Sequence, residues 1–247
     1  MSTLILALIA GAVIGLALGA LGGGGSVLAV PALIYLLGFS PASATTASLV
    51  IVTATSAAAL YAHARDGNAV WKTGTLFAAA GILPAFLAGA VAGRLPAEVL
   101  TAAFAVIAAL AALRMLRPAN SPPPERIRPA RAAGAGAGLG AVTGFLGVGG
   151  GFLAVPALVG VLGLRMKQAV GTSLLVITVN SLAALTARTG TGGDLRWEVI
   201  APFTGAAVLG AWDGKRLAAR ITGQALQRAF AFALLGVAAF MLVDVVV

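Results

Sequence analysis

Two glycine clusters are the first places in this sequence where the backbone itself could do chemistry. Gly22, Gly23, Gly24 and Gly25 run into Ser26, and Gly147, Gly149, Gly150 and Gly151 form a second cluster. Each leads into a short apolar run that contains a proline, Pro31 or Pro156. A helix starting inside such a cluster presents unpaired N–H groups and a partial positive charge. With no Cβ in the way, an anion can approach those amides closely. One cluster alone would read as close helix packing by small residues. Two clusters in matching surroundings favour a shared anion site.

Hydroxyl groups form the second set. Ser48 and Thr53 are flanked by Thr45 and Ser56, and Ser173, Thr178 and Asn180 are flanked by Thr172 and Ser181. Ser173 and Asn180 are seven residues apart, which puts them on one helix face. Small neutral donors suit an oxyanion that must bind and leave. Interhelical hydrogen bonding, worth about 0.6 kcal/mol per contact in a membrane, is an equally open reading. Thr46 and Thr55 read as ordinary packing.

The acidic residues are informative by position. Asp66, Glu98, Glu125, Asp194, Glu198, Asp213 and Asp244 each fall in a predicted loop or at a membrane edge. Proton and sodium relays generally place a carboxylate mid-membrane, whereas an anion carrier has no such need. Asp213 reads as an edge residue paired with Lys215. Arg228 lies inside the last apolar run, close enough to its start to snorkel to the interface. His63, the single histidine, reads as an interfacial residue beside Arg65 and Asp66. An enzyme is not expected. The serines have no second histidine to serve as a base, and neither glycine cluster satisfies a nucleotide-loop pattern. No cofactor is implied, and with no cysteine there are no disulfides, iron–sulfur clusters or thiolate zinc sites.

The elements that must position these groups follow from composition. Of 247 residues 60% are hydrophobic and 9% charged, against roughly 25% charged in a soluble domain. The chain is therefore a multi-pass membrane protein. Its net charge of +9 is explained by loop topology and needs no nucleic-acid partner. Apolar runs occupy residues 3–21, 27–37, 42–62, 73–93, 97–116, 132–148, 152–163, 168–187, 199–213 and 222–247. The runs 27–37 and 152–163 are too short to cross a core of about 30 Å. Both follow a glycine cluster, so broken or re-entrant segments are expected. The first run lacks a basic start and takes part in the repeat below, so it is not read as a signal peptide.

Residues 117–131 form a Pro- and Arg-rich linker near the middle of the chain. The two sides of it resemble each other. Laying residues 11–60 on 136–185 without gaps makes nearly half the positions identical, including Gly11/Gly136, Gly15/Gly140, Gly22/Gly147, Pro31/Pro156, Ser48/Ser173, Thr53/Thr178 and Ser56/Ser181. Trp71 then pairs with Trp197, and Gly89, Gly93 and Arg94 with Gly210, Gly214 and Lys215. Residues 1–116 and 132–247 thus read as two copies of one unit of about five segments. Twelve Lys and Arg against three fall on the linker side if each copy makes an odd number of crossings. The positive-inside rule then predicts inverted repeats, a cytoplasmic linker and both termini outside.

The doubled pattern Gly-x-x-Gly-x-Gly-Gly-(Gly/Ser)-x-x-x-x-Pro-x-Leu, with His63-Ala64-Arg65-Asp66-Gly67 and Trp71-Lys72, resembles the sulfite exporter TauE/SafE family of membrane permeases. The resemblance covers nearly the whole chain. It implies movement of sulfite, sulfoacetate or a related small sulfur-containing anion across a cell membrane. The expectation is an all-α integral membrane protein of two inverted repeats, with broken or re-entrant Gly-rich segments at the centre. Its partners are a small anionic substrate and the lipid bilayer. The substrate-binding set is Gly22, Gly23, Gly24, Gly25, Ser26, Ser48, Thr53, Gly147, Gly149, Gly150, Gly151, Ser173, Thr178 and Asn180. A passive anion channel would use the same site, and a non-transporting scaffold would use the glycines only for packing.

Overall fold

A computed structural model describes residues 2–23, 26–92, 97–116, 128–145, 151–187 and 195–246. Among them are ten α-helices and no strand. They are α1 (Ser2–Leu21), α2 (Ser26–Pro31), α3 (Pro41–Arg65), α4 (Trp71–Ala92), α5 (Ala97–Leu116), α6 (Pro129–Phe145), α7 (Gly151–Gly160), α8 (Met166–Ala187), α9 (Trp197–Arg220) and α10 (Gly223–Val246). A π-helical turn, Ala32–Leu36, continues α2. Five helices are long and apolar enough to cross a membrane, over Thr3–Leu21, Ser43–Arg65, Trp71–Ala88, Met166–Thr186 and Gly223–Phe240. Large apolar side chains such as Ile9, Val13, Leu83, Phe86, Leu209 and Phe232 face outward, as a lipid-embedded surface requires.

The ten apolar runs correspond one to one with these helices. The largest boundary difference is in α9, which continues to Arg220 instead of ending near residue 213. Its last turns are held by packing: Gly214 lies against Leu16 and Ala20 of α1, and Ala218 is buried. Pro129 opens α6, as a proline at the first helical position does readily, so residues 129–131 of the linker are helical.

Glycine sets the helix pairings. Gly11, Gly15 and Gly19 of α1 lie directly on the backbone of Phe203, Ala207 and Ala211 of α9. The constant spacing shows that α1 and α9 run in the same direction. Gly136 and Gly140 of α6 meet Phe77 and Gly81 of α4 in the same way. Small residues are the usual means of such close approach in lipid, where apolar burial gives helices no reason to associate. Helices α3 and α8 run in opposite directions through the middle. Asn68, just beyond α3, sits on Gly171, and Val70 N–H donates to Thr172 Oγ1 in the first turns of α8.

The short helices end alike in both copies. Gly38 and Gly163 both take positive φ, 65° and 70°. Each N–H reaches a carbonyl four residues back, and the next residue's N–H (Phe39, Leu164) reaches one six back. The glycine bond is that of the αL helix end, which favours a left-handed residue, hence glycine. It turns the chain sharply from α2 into α3 and from α7 into α8.

The ends of the bundle differ in charge. Asp66, Lys167 and Lys215 meet at one end, and Gln227 at the start of α10 donates to Met115 O at the end of α5 there. Among the described Lys and Arg, only Arg196 lies at the other end. Its guanidinium donates to Leu37 O at 2.6 Å and stacks 4.0 Å from the Phe39 ring centroid.

Candidate functional site

Gly22 closes α1, with its N–H on Leu18 O at 2.8 Å and φ at +71°. Only glycine takes that left-handed conformation without strain. A Cβ at Gly22 would fall 2.5 Å from Ser173 Oγ and 3.3 Å from a Val155 methyl. The first glycine cluster of one copy is therefore seated on the hydroxyl helix of the other, with the short helix α7 beside it. Gly23 and Gly151 are also buried. Gly24, Gly25, Gly147, Gly149 and Gly150 lie outside the described residues, as does the side chain of Ser26.

The hydroxyls divide into satisfied and unsatisfied groups. Ser173 Oγ–H donates to Val170 O at 2.8 Å, and Ser48 Oγ–H donates to Thr45 O at 2.8 Å. These bonds close within each helix, as serine commonly does in apolar surroundings. Thr178 differs, because its Oγ1 lies 2.9 Å from Ser56 Oγ and 2.7 Å from Leu174 O. The Thr178–Ser56 contact joins α3 and α8 about 18 Å along α8, roughly half its length. Within one helical turn of it along the chain are Thr53 Oγ1, Thr55 Oγ1 and Asn180 Oδ1. Each is buried without a hydrogen-bond partner among the described residues. An unsatisfied buried polar atom costs about 1–3 kcal/mol; Thr53 and Thr55, two apart on α3, point to different faces and are not one cluster.

Thr55, read from the sequence as a packing residue, is 1% exposed, and its oxygen has no partner among the described residues. Thr55 occupies the position matching Asn180, and only the repeat register gives that signal.

His63, in the last turn of α3 at the basic end, is 4% exposed. Its Nε2 lies 2.9 Å from Gly19 O. That carbonyl is one of the last four of α1 and has no intrahelical partner. A carbonyl only accepts, so Nε2 carries the proton and Nδ1 is left as an acceptor. Nδ1 is buried without a partner. Asp213 is not paired with Lys215, because residues two apart on a helix point to different faces. Asp213 pairs with Arg216 at 3.2 Å, and Lys215 pairs with Asp66 at 2.8 Å. The Lys215 ammonium holds the Asp66 carboxyl below the usual carboxylate range. Arg228 is exposed in the second turn of α10, at the basic end.

A glycine turn against a hydroxyl helix, inside a bundle with an apolar outer surface, defines a polytopic membrane protein with a polar centre. The profile described as Sulfite exporter TauE/SafE matches residues 7–241. A probable membrane transporter protein of Xylella fastidiosa is 35% identical over 250 residues, covering 97% of this chain and 95% of that protein, in each of two strains. A probable membrane transporter protein of Haemophilus influenzae is 29% identical over 181 residues, covering 69% of this chain and 67% of its own length. The chain belongs to the sulfite exporter TauE/SafE family and is a membrane transporter.

Proposed function

We propose that the chain is a secondary transporter of a small sulfur-containing anion such as sulfite or an organosulfonate. The observation that carries this reading is the meeting of the two hydroxyl helices, Thr178 Oγ1 lying 2.9 Å from Ser56 Oγ, with unpartnered hydroxyl oxygens on Thr53 and Thr55 within one turn along the chain. In this reading the hydroxyl donors of these residues and the Asn180 amide, with Ser48 and Ser173, turn toward an oxyanion when it arrives. The amides of Gly24, Gly25 and Ser26 and of Gly147, Gly149, Gly150 and Gly151 take its remaining charge, while the Gly22 N–H stays on Leu18 O. Neutral donors hold an anion without the Coulombic trap of a buried lysine, so release stays fast.

Two inverted repeats provide the motion. The parallel pairs α1/α9 and α4/α6 and the antiparallel pair α3/α8 support an inverted relation, with the copies related across the α3–α8 crossing. Rocking one copy against the other would open the centre to each side in turn. The segregation of described Lys and Arg to one end supports a cytoplasmic linker, termini outside and residence in the cell membrane. The lack of a mid-membrane carboxylate also favours a second reading, an uncoupled anion channel through the same site.

Flux in proteoliposomes separates these readings. Sulfite, sulfoacetate, taurine, sulfate and chloride are presented with and without pH and voltage gradients. Saturable sulfite or sulfonate flux supports the carrier. Unsaturable, voltage-following flux supports the channel. No flux from folded, inserted protein sinks the substrate assignment.

A further inference from the structure

At the basic end a cavity of about 90 Å³ opens below the glycine turn, lined by His63, Asp66, Asn68, Lys167, Val170 and Lys215 together with α9 and α10 residues. Charged and polar groups line part of it, and it has room for more than one water. It is also separate from the central hydroxyls. Val170, in its wall, is a full helical turn from Ser173, whose Oγ–H ends on the Val170 carbonyl.

The charged groups facing this space come from three helices. The end of α3 supplies Asp66, α8 supplies Lys167, and α9 supplies Lys215. Arg65 is exposed and turned onto Tyr61, 5.9 Å from its ring centroid, so it is not in the wall. The wall therefore holds two ammonium groups and one carboxylate, a formal charge of +1. Lys215 spends one donor on Asp66 at 2.8 Å, and Lys167 makes a long 3.4 Å contact to Ala219 O. Each ammonium has three donors, so both keep some for a ligand. The wall also holds acceptors. Asp66 stays a carboxylate because Lys215 holds its pKa down. His63, 96% buried on the 4% exposure given above, has an unpaired Nδ1 that can only accept, since Nε2–H is committed to Gly19.

From this donor and acceptor set we infer that the cavity is a second anion site, selective for a small oxyanion that bears one negative charge and keeps a proton. Hydrogensulfite and dihydrogen phosphate have this form. The ammonium groups and the Asn68 amide take the anion's charged oxygens, and its O–H donates to Asp66. A monoanion neutralises the +1 wall. Sulfate, a dianion with no proton, overcharges it and sets bare oxygens against the carboxylate. A site built to accept from a ligand's O–H discriminates strongly against an analogue that lacks it. Placed under Gly22 and Ser173, the cavity would serve as an antechamber to the central site. That role rests on the transport reading, but binding to the cavity does not.

The single histidine makes the test specific, since a histidine-selective isotope label reports on this wall alone. Full-length protein in detergent, in mildly acidic low-salt buffer, is titrated with sulfite, phosphate and sulfate while the His63 ring signals are followed. Saturable shifts are expected with sulfite and phosphate, with sulfate weaker by about tenfold or more. Lys167→Gln and Lys215→Gln each weaken sulfite binding by about tenfold, the scale of one charged hydrogen bond. Asp66→Asn raises the wall charge by one and replaces an acceptor, so sulfate draws level with sulfite or passes it. Arg196→Gln, at the opposite end, leaves the titration unchanged. Equal response to sulfate and sulfite, no saturable response to any of the three, or an Asp66→Asn protein with the original preference overturns the assignment. A normal titration in protein that shows no flux sinks the transport reading and leaves this site standing.

Discussion

Substituting Gly22 by alanine tests the contact between the two copies. An alanine held at φ +71° is in the left-handed region, which costs a non-glycine residue about 1–2 kcal/mol. Its Cβ would lie 2.5 Å from Ser173 Oγ. That oxygen can rotate away, but only by giving up its 2.8 Å bond to Val170 O. A hydrogen bond in a membrane helix is worth about 0.6 kcal/mol. Gly22→Ala should therefore destabilise by about 2 kcal/mol. Ser173→Ala alone should cost about 0.6 kcal/mol for the same bond. In the double variant that bond is lost once and not twice, so the two effects fall short of additive by about 0.6 kcal/mol. The assay is reversible SDS-induced unfolding in mixed micelles, read by tryptophan fluorescence. A Gly22→Ala protein as stable as the parent would refute the left-handed turn. Strict additivity would refute the contact with Ser173.

Four further outcomes follow from the same geometry. Thr53→Val and Asn180→Leu remove unpartnered polar atoms, so stability should hold or rise by up to about 1 kcal/mol while sulfite flux falls at least tenfold; unchanged flux in both would move the substrate elsewhere. Gly15→Ala puts a methyl into the Ala207 carbonyl and should cost about 1–3 kcal/mol. Gly205→Ala, with nothing within 4 Å of the new Cβ, should be neutral or stabilising by up to about 1 kcal/mol in the same unfolding assay. The Asp66–Lys215 pair depresses the folded-state pKa of Asp66, so its stabilisation is full above the unfolded value near about 4 and disappears as pH falls through the lower folded value. Since Asp66 is largely solvated, parent and Asp66→Asn should differ by well under about 1 kcal/mol at neutral pH, with melting curves that converge in acid.

Much of this protein is written in local pattern. The ten apolar runs need only a count of residues against bilayer thickness, since lipid demands continuous apolar helix. The duplication shows in the register of Gly22 with Gly147 and Pro31 with Pro156. Gly38 and Gly163, the left-handed ends of the two short helices, stand in the same register. The family could be read from the doubled glycine motif alone.

Which polar groups meet could not be read that way. Ser48, Ser173 and Thr178 look alike along the chain, yet two of them close bonds within their own helices and Thr178 reaches across to Ser56. The burial of Thr55 and His63 is set by helices distant in sequence. Gly19, forty-four residues away, supplies the carbonyl that Nε2 of His63 binds. The pairing of Lys215 with Asp66 instead of Asp213 is likewise a matter of helix phase and crossing. Sequence by itself determines which segments enter the membrane and that they come in two copies, since both are properties of local composition and repeat. Only the tertiary structure decides which donors are satisfied and which are left for a ligand, because hydrogen-bond balance is a sum over neighbours that the chain brings together from both halves.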